Sequence, residues 1–214
     1  MRAVGFEKFG GPEVLEVMEF PDNAIGFDEI KIQNYASAVN PTDIVSRSGL
    51  IKHFIKDFSL PCVPGMDFAG IVTEVGENVK TGIKVGESVM GMVMPNGIHG
   101  AYSDQLILNQ FAVVRIPKNA PFIEAATLPM NGLTARLSLD LLNLKKGQTI
   151  AVTGGPGAYG GYVIQLAKAD GLIVIADSNE SDIKLLKDLG VDHIIPRGEN
   201  FVEEVKGIFP KGVD

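Results

Sequence analysis

Residues 152–171 read VTGGPGAYGGYVIQLAKADG: the end of an apolar run, a glycine-rich stretch broken by one proline, then apolar residues recurring every three to four positions. Within it, Gly155-Pro156-Gly157-Ala158-Tyr159-Gly160 is a G-x-G-x-x-G. Such a match alone fits many sharp turns, and its setting decides the reading. The strand-like TIAVT precedes it, a helix opens inside it, and Asp177 closes the next apolar run, LIVIA, about 20 residues after Gly155. Each glycine has a task there. Gly155 permits the tight turn, Gly157 lets the backbone approach a pyrophosphate, and Gly160 lets the helix lie close on the sheet. Ala158 and Tyr159 stand at the helix N-terminus, where unpaired N–H groups and the positive end of the helix dipole favour a diphosphate.

Outward from this loop the chain has two rhythms. From Pro121, PFIEAATLPMNGLTARLSLDLLNLKKG predicts two helices broken near Pro129 and stopped at Gly147. Strand and helix then alternate through TIAVT, YGGYVIQLAKA, LIVIA, SDIKLLKDLG, DHIIP and FVEEVKGIF, the pattern of a parallel sheet with crossover helices. Residues 1–120 instead give short strands, MRAVGFE, VLEVMEF, EIKIQNYA, DFAGIVTEVG, ESVMGMV and DQLILNQFAVVRI, separated by Gly, Pro and Asn turns. That spacing predicts a closed or partly rolled β-structure. The segment VNPTDIVSRSGLIKHF interrupts it with an Asn-Pro turn and a helical turn. The expected domains are therefore 1–120, β-rich, and 121–214, nucleotide-binding.

Bulk composition narrows the partners. A net charge of −7 with scattered basic residues argues against a nucleic-acid backbone as partner. No apolar run reaches the roughly 18 residues of a membrane-spanning helix, and Glu7 interrupts the place where a signal peptide would be apolar. A single cysteine, Cys62, fits a reducing cytoplasm.

Asp177 and its neighbours bear on the nucleotide. A carboxylate at that strand end can accept from the adenosine ribose and repel a 2′-phosphate, favouring NAD. It can equally serve as a capping or loop carboxylate. Ser178 follows it, and Arg197 lies just beyond the third strand, where a guanidinium could pair with a 2′-phosphate and favour NADP, or simply be solvated. The residues leave both cofactors open.

ASAVNPTDIVSRSG, PCVPGMDFAGIVTEVG, GAYSDQLIL, AATLPMNGLTA and LKDLGVDHII, in this order, resemble motifs of the medium-chain dehydrogenase/reductase superfamily, in its zinc-free quinone oxidoreductase branch. The resemblance runs along nearly the whole chain. It implies an α/β protein with an N-terminal GroES-like β-barrel domain and a Rossmann-type doubly wound sheet, with substrate in the cleft between them. It favours NADP(H), with NAD(H) left open. It places Asn40 and Thr134 near the nicotinamide, with Asp43 shaping that region. Local readings stand beside these, an Asx-type turn into Pro41 for Asn40 and a helix cap for Asp43.

Where zinc-dependent relatives hold metal with Cys and His, this sequence resembles them in position but has Asn40 and Met66, poor zinc ligands. Cys62, His53, His99 and His193 show no ligand spacing, so no metal is expected. The implied reaction is hydride transfer from nicotinamide to a quinone or activated enone, with the protein orienting the cofactor. Alternatives are an enoyl-thioester reductase of the same superfamily and a non-catalytic nucleotide-binding sensor. A cytoplasmic homodimer is expected. Two departures stand out. Val45 occupies a position where the branch often has Tyr, and Ala158-Tyr159 replace the usual Gly-Val of the loop. Tyr159 could meet the cofactor or pack beneath the helix. Three of six Rossmann strands are in hand, which predicts a fragment of a longer chain with TIAVT as an exposed edge.

Overall fold

The structure, a computed structural model, describes residues 1–50 and 58–214. The chain divides into two compact units, Met1–Met130 and Asn131–Asp214.

In the first unit β1 (Arg2–Gly5) pairs antiparallel with β2 (Glu16–Glu19). A five-stranded antiparallel sheet follows, from β3 (Glu29–Ser37), β4 (Asp67–Val75), β5 (Ser88–Met92), β6 (Gln105–Asn109) and β7 (Val113–Arg115), in the order β6-β3-β4-β5-β7. Alternation builds its core. Ile30 and Ile32 of β3 point inward between half-exposed Lys31 and Gln33, and meet Phe68, Val72, Val89, Leu106 and Leu108. Burying a side chain such as Phe68 contributes about 1.5–3 kcal/mol, so these positions dominate the unit's stability. The stretch 105–115, expected as one strand, is two. Asn109 accepts the Phe111 N–H at 3.1 Å and turns the chain through a 3-10 segment between β6 and β7. Helix α1 (Pro41–Arg47) opens at the Asn-Pro turn.

The division between units falls at Met130, later than the 120/121 boundary read from the change of rhythm. The short helix α2 (Phe122–Ala125) explains this. Ala125 and Ala126 are buried against Ala69 of β4, with Ala36 and Met90 alongside, so this stretch packs with the β-rich unit.

The second unit has a three-stranded parallel sheet, ordered β10-β9-β8, from β8 (Thr149–Val152), β9 (Ile173–Ser178) and β10 (His193–Pro196). Helices cover both faces. Val174 and Ala176 of β9 face a core shared with Ala135 and Leu139 of α3 (Pro129–Leu142), Val163, Ile164 and Ala167 of α4 (Ala158–Ala169) and Leu186 of α5 (Ile183–Asp188). Ile175, between them in sequence, points to the other face and packs with Ile195 and with Val205 of α6 (Phe201–Ile208). A strand buried on both faces must be apolar throughout, which is why LIVIA shows no alternation. This is the doubly wound arrangement, as one half of a Rossmann sheet. Among the described residues β8 pairs on one side only, and Asp214 caps its start by accepting the Thr149 N–H at 2.9 Å.

Candidate functional site

In the second unit the glycine loop joins β8 to α4. Gly154 sits at φ +69°, a conformation costly for a side-chain-bearing residue, and it turns the chain back over the strand ends. The Gly157 N–H closes that turn on the Gly154 carbonyl at 2.9 Å. Gly160, buried in the first turn of α4, lies so close to the loop that a Cβ there would overlap the Gly154 carbonyl oxygen. Helix and loop are thus packed backbone to backbone. Gly157 is the helix N-cap, and the first N–H groups beyond it, from Ala158, Tyr159 and Gly160, have no acceptor within the helix.

The loop is pinned from β9. Asp177, only 6% exposed, turns its carboxylate back under the glycines. Its Oδ1 accepts from Gly154 N at 2.6 Å and Gly155 N at 3.2 Å, and its Oδ2 accepts from Arg197 Nε at 3.0 Å. Burial acts to raise the Asp177 carboxyl, but the Arg197 guanidinium and the two glycine N–H groups outweigh it and hold it below the usual carboxylate range. Arg197 is fixed by its backbone as well, donating its N–H to Ser178 O at 2.9 Å. A guanidinium carries five N–H donors, so one on Asp177 leaves others for an anion on this partly exposed side chain.

The neighbouring candidates divide. Ser178 is buried and its hydroxyl donates to Asn179 O at 2.7 Å. Tyr159 does not pack beneath the helix. It is 41% exposed, and its phenol donates to Ser138 Oγ at 2.8 Å, linking α4 to α3. Ser138 in turn donates to the carbonyl of Thr134, one turn earlier on α3.

In the first unit Asn40 and Asp43 do come together, at the start of α1, and both are 5% exposed. Asp43 Oδ2 accepts the Asn40 backbone N–H at 2.7 Å, and the Asp43 backbone N–H donates to the Asn40 backbone carbonyl at 3.0 Å, closing the first turn of α1. The Asp43 carboxylate also accepts from Gly65 N at 3.0 Å and from the Tyr102 phenol at 3.1 Å. Asp43 therefore ties three segments together. Burial, then the Asp43 charge and its hydrogen bond, pushes the Tyr102 phenol well above the usual tyrosine range.

Sequence reasoning passes over the second acid of this cluster. Asp67, at the head of β4 and wholly buried, accepts from Asn40 Nδ2 at 2.7 Å through Oδ2 and from Met130 N at 2.6 Å through Oδ1. Burial pushes its carboxyl up, those two donors pull it partly back, and the nearby Asp43 charge adds to the rise. The signal is there: a charged residue opening the otherwise apolar DFAGIV. Beside it, Thr42 Oγ1 lies 3.4 Å from the thioether of Met66 and 3.8 Å from that of Met130.

Among the described residues no three His, Cys, Asp or Glu side chains converge as metal ligands; His53 lies outside the described residues. Cys62 is buried, and burial pushes its thiol up to about 11. No helix among the described residues is long and apolar enough to cross a membrane.

Comparison with known proteins agrees with this architecture. Residues 26–118 match the alcohol dehydrogenase GroES-like domain. The chain is 36% identical over 212 residues to a 2-methylene-furan-3-one reductase of Solanum lycopersicum, covering 94% of this chain and 53% of that protein. The human synaptic vesicle membrane protein VAT-1 homolog-like protein superposes with a TM-score of 0.87 at 33% identity, over 100% of this chain and 66% of the other. The Escherichia coli quinone oxidoreductase, in complex with NADPH, superposes with a TM-score of 0.82 at 30% identity, over 98% of this chain and 63% of the other. The chain spans about half the length of the first of these relatives and under two thirds of the last.

Proposed function

The chain belongs to the medium-chain dehydrogenase/reductase superfamily, in the branch of the quinone oxidoreductases, and from that premise we propose that it works as an NADP(H)-dependent reductase of quinones or activated enones. One observation carries the nucleotide part of this reading: Asp177 is engaged with the glycine loop and with Arg197. A carboxylate whose two oxygens already serve three donors is a loop clamp, poorly placed to select NAD through its ribose. The anion donor at this edge is Arg197, which suits a 2′-phosphate.

The residues present fit the group. Gly157 lets the backbone approach a diphosphate, with Gly155 in the tight turn and Gly160 packed against the loop, and the N–H groups of Ala158, Tyr159 and Gly160 would hold it. Bound nicotinamide supplies the hydride. Each on its own unit, Asn40 offers an amide and Thr134 a hydroxyl, the groups that the family resemblance assigns to orienting a carboxamide. Asp43 holds the Asn40 backbone in place, and Tyr102 holds Asp43. A cytoplasmic homodimer completes the proposal and rests on the family.

The test is a pair of fluorescence titrations with NADPH and NADH, followed by addition of an ortho-quinone or an enone while nicotinamide absorbance is followed. NADPH should bind more tightly, and its absorbance should fall on addition of acceptor. Binding without turnover would favour a nucleotide-binding sensor. Binding of neither nucleotide would overturn the assignment.

A further inference from the structure

We infer that Asp67 is a positioning residue for the reaction: it fixes which end of the Asn40 amide is presented, holding the nitrogen inward and turning the carbonyl oxygen away from itself. The inference rests on the reading above, in which Asn40 takes part at the nicotinamide.

The geometry allows one arrangement. Ionised Asp67 only accepts hydrogen bonds. Its Oδ1 is taken by a backbone donor, Met130 N–H at 2.6 Å, so the other oxygen, Oδ2, is left to face Asn40. Opposite a pure acceptor the Asn40 amide must offer its NH2 group, and it does, at 2.7 Å. The other end of the amide is then its carbonyl oxygen, the acceptor end, turned away from Asp67. Both anchors are rigid. Asp67 pairs with Met92 at the head of β4, a central strand of the sheet, and the Asn40 backbone is held by Asp43 at 2.7 Å.

A wholly buried carboxylate is costly to keep, and the partners found for it are an amide and a backbone N–H, with no ion pair among the described residues. The substitution Asp67→Asn would keep the volume and could satisfy the same two neighbours without the charge. What it could not do is preserve the Asn40 orientation. The Met130 N–H would claim the oxygen of the new amide, whose NH2 group would then face Asn40. Asn40 would have to turn over, setting its oxygen toward residue 67 and its own NH2 group where the oxygen now stands. This difference separates a positioning role from a packing role.

The experiment compares D67N with the swap N40D/D67N in the full chain. In the swap, the amide introduced at 67 donates to one oxygen of the carboxylate introduced at 40. The second oxygen of that carboxylate remains an acceptor turned away from residue 67, as in the native pair. D67N is expected to fold with thermal stability close to native, because relief of a buried charge offsets the cost of turning the Asn40 amide. Its kcat should fall roughly 10- to 100-fold, the scale of a misplaced reacting group, with KM for the quinone little changed. The swap should recover most of the lost kcat. Unchanged kcat in D67N, or a folded swap no more active than D67N, would overturn the inference. If D67N does not fold, the swap decides alone against N40A: higher activity supports the pairing and equal activity overturns it. The pairing also has a readout that needs no turnover. In 15N-asparagine-labelled protein the Asn40 NH2 protons should be protected from exchange, and protection should be lost in D67A. Protection with N40A kinetics unchanged would remove Asn40 from the reaction while leaving the pairing intact, so the two failures are distinguishable.

Discussion

The carboxylate of Asp177 accepts the backbone N–H of Gly154 at 2.6 Å, so the end of one strand sets the shape of the turn that leaves its neighbour. Replacing Asp177 with Ala leaves the N–H groups of Gly154 and Gly155 without that acceptor and Arg197 without its partner. A buried donor left unmet costs about 1–3 kcal/mol. D177A should therefore unfold at lower urea with an unchanged slope, and lose NADPH affinity as the loop relaxes. A variant as stable as the native chain would show that the loop holds its shape by glycine geometry alone.

The same contact sets a pH dependence. Because the Asp177 carboxyl is held below its ordinary value, the folded state binds that proton less readily than the unfolded chain. Its contribution is therefore present above the unfolded carboxylate range and is lost as pH falls through the lower, folded value. The stability gap between the native chain and D177A should be steady near neutrality and narrow below about pH 4. A gap that widened on acidification would contradict the sign.

How much of this is legible in sequence depends on what each residue answers to. The β9 run LIVIA and the Ile30–Ile32 alternation respond to burial, a property each residue carries wherever it sits, and both are readable. The glycine loop is readable for the same reason, since only glycine tolerates those backbone approaches. Asp177 is visible as a candidate, yet the direction of its carboxylate depends on competition between loop N–H groups, Arg197 and a ribose, which spacing does not reveal. The strand break after Asn109 hangs on one side-chain hydrogen bond. The Asp43–Tyr102 and Asp67–Met130 contacts join residues some 60 positions apart, and no local pattern marks such partners.

Gly160 offers a sharper probe of the nucleotide loop than its neighbours. A methyl group there would overlap the Gly154 carbonyl oxygen, which is backbone and has little room to yield. G160A should separate α4 from the loop and weaken binding of NADPH and NADH alike, because the diphosphate is common to both. R197A should instead weaken NADPH selectively, by about 10-fold for one lost charge-assisted contact of roughly 1.5 kcal/mol. Equal losses for both nucleotides in R197A would remove Arg197 from 2′-phosphate recognition.

Asp43 and Tyr102 can be separated by how many donors each variant strands. In Y102F the phenol is gone, and Asp43 retains the N–H groups of Asn40 and Gly65 as partners. That variant loses one hydrogen bond and should cost about 1–2 kcal/mol. In D43A three donors lose their acceptor at once, two of them backbone N–H groups in buried segments, so the loss should be about twofold larger or more. The double variant D43A/Y102F should be no worse than D43A, because the phenol has nothing left to donate to at that site. Chemical denaturation of the four proteins gives the cycle directly. Additive losses would mean that the Tyr102 hydroxyl acts through a partner other than Asp43.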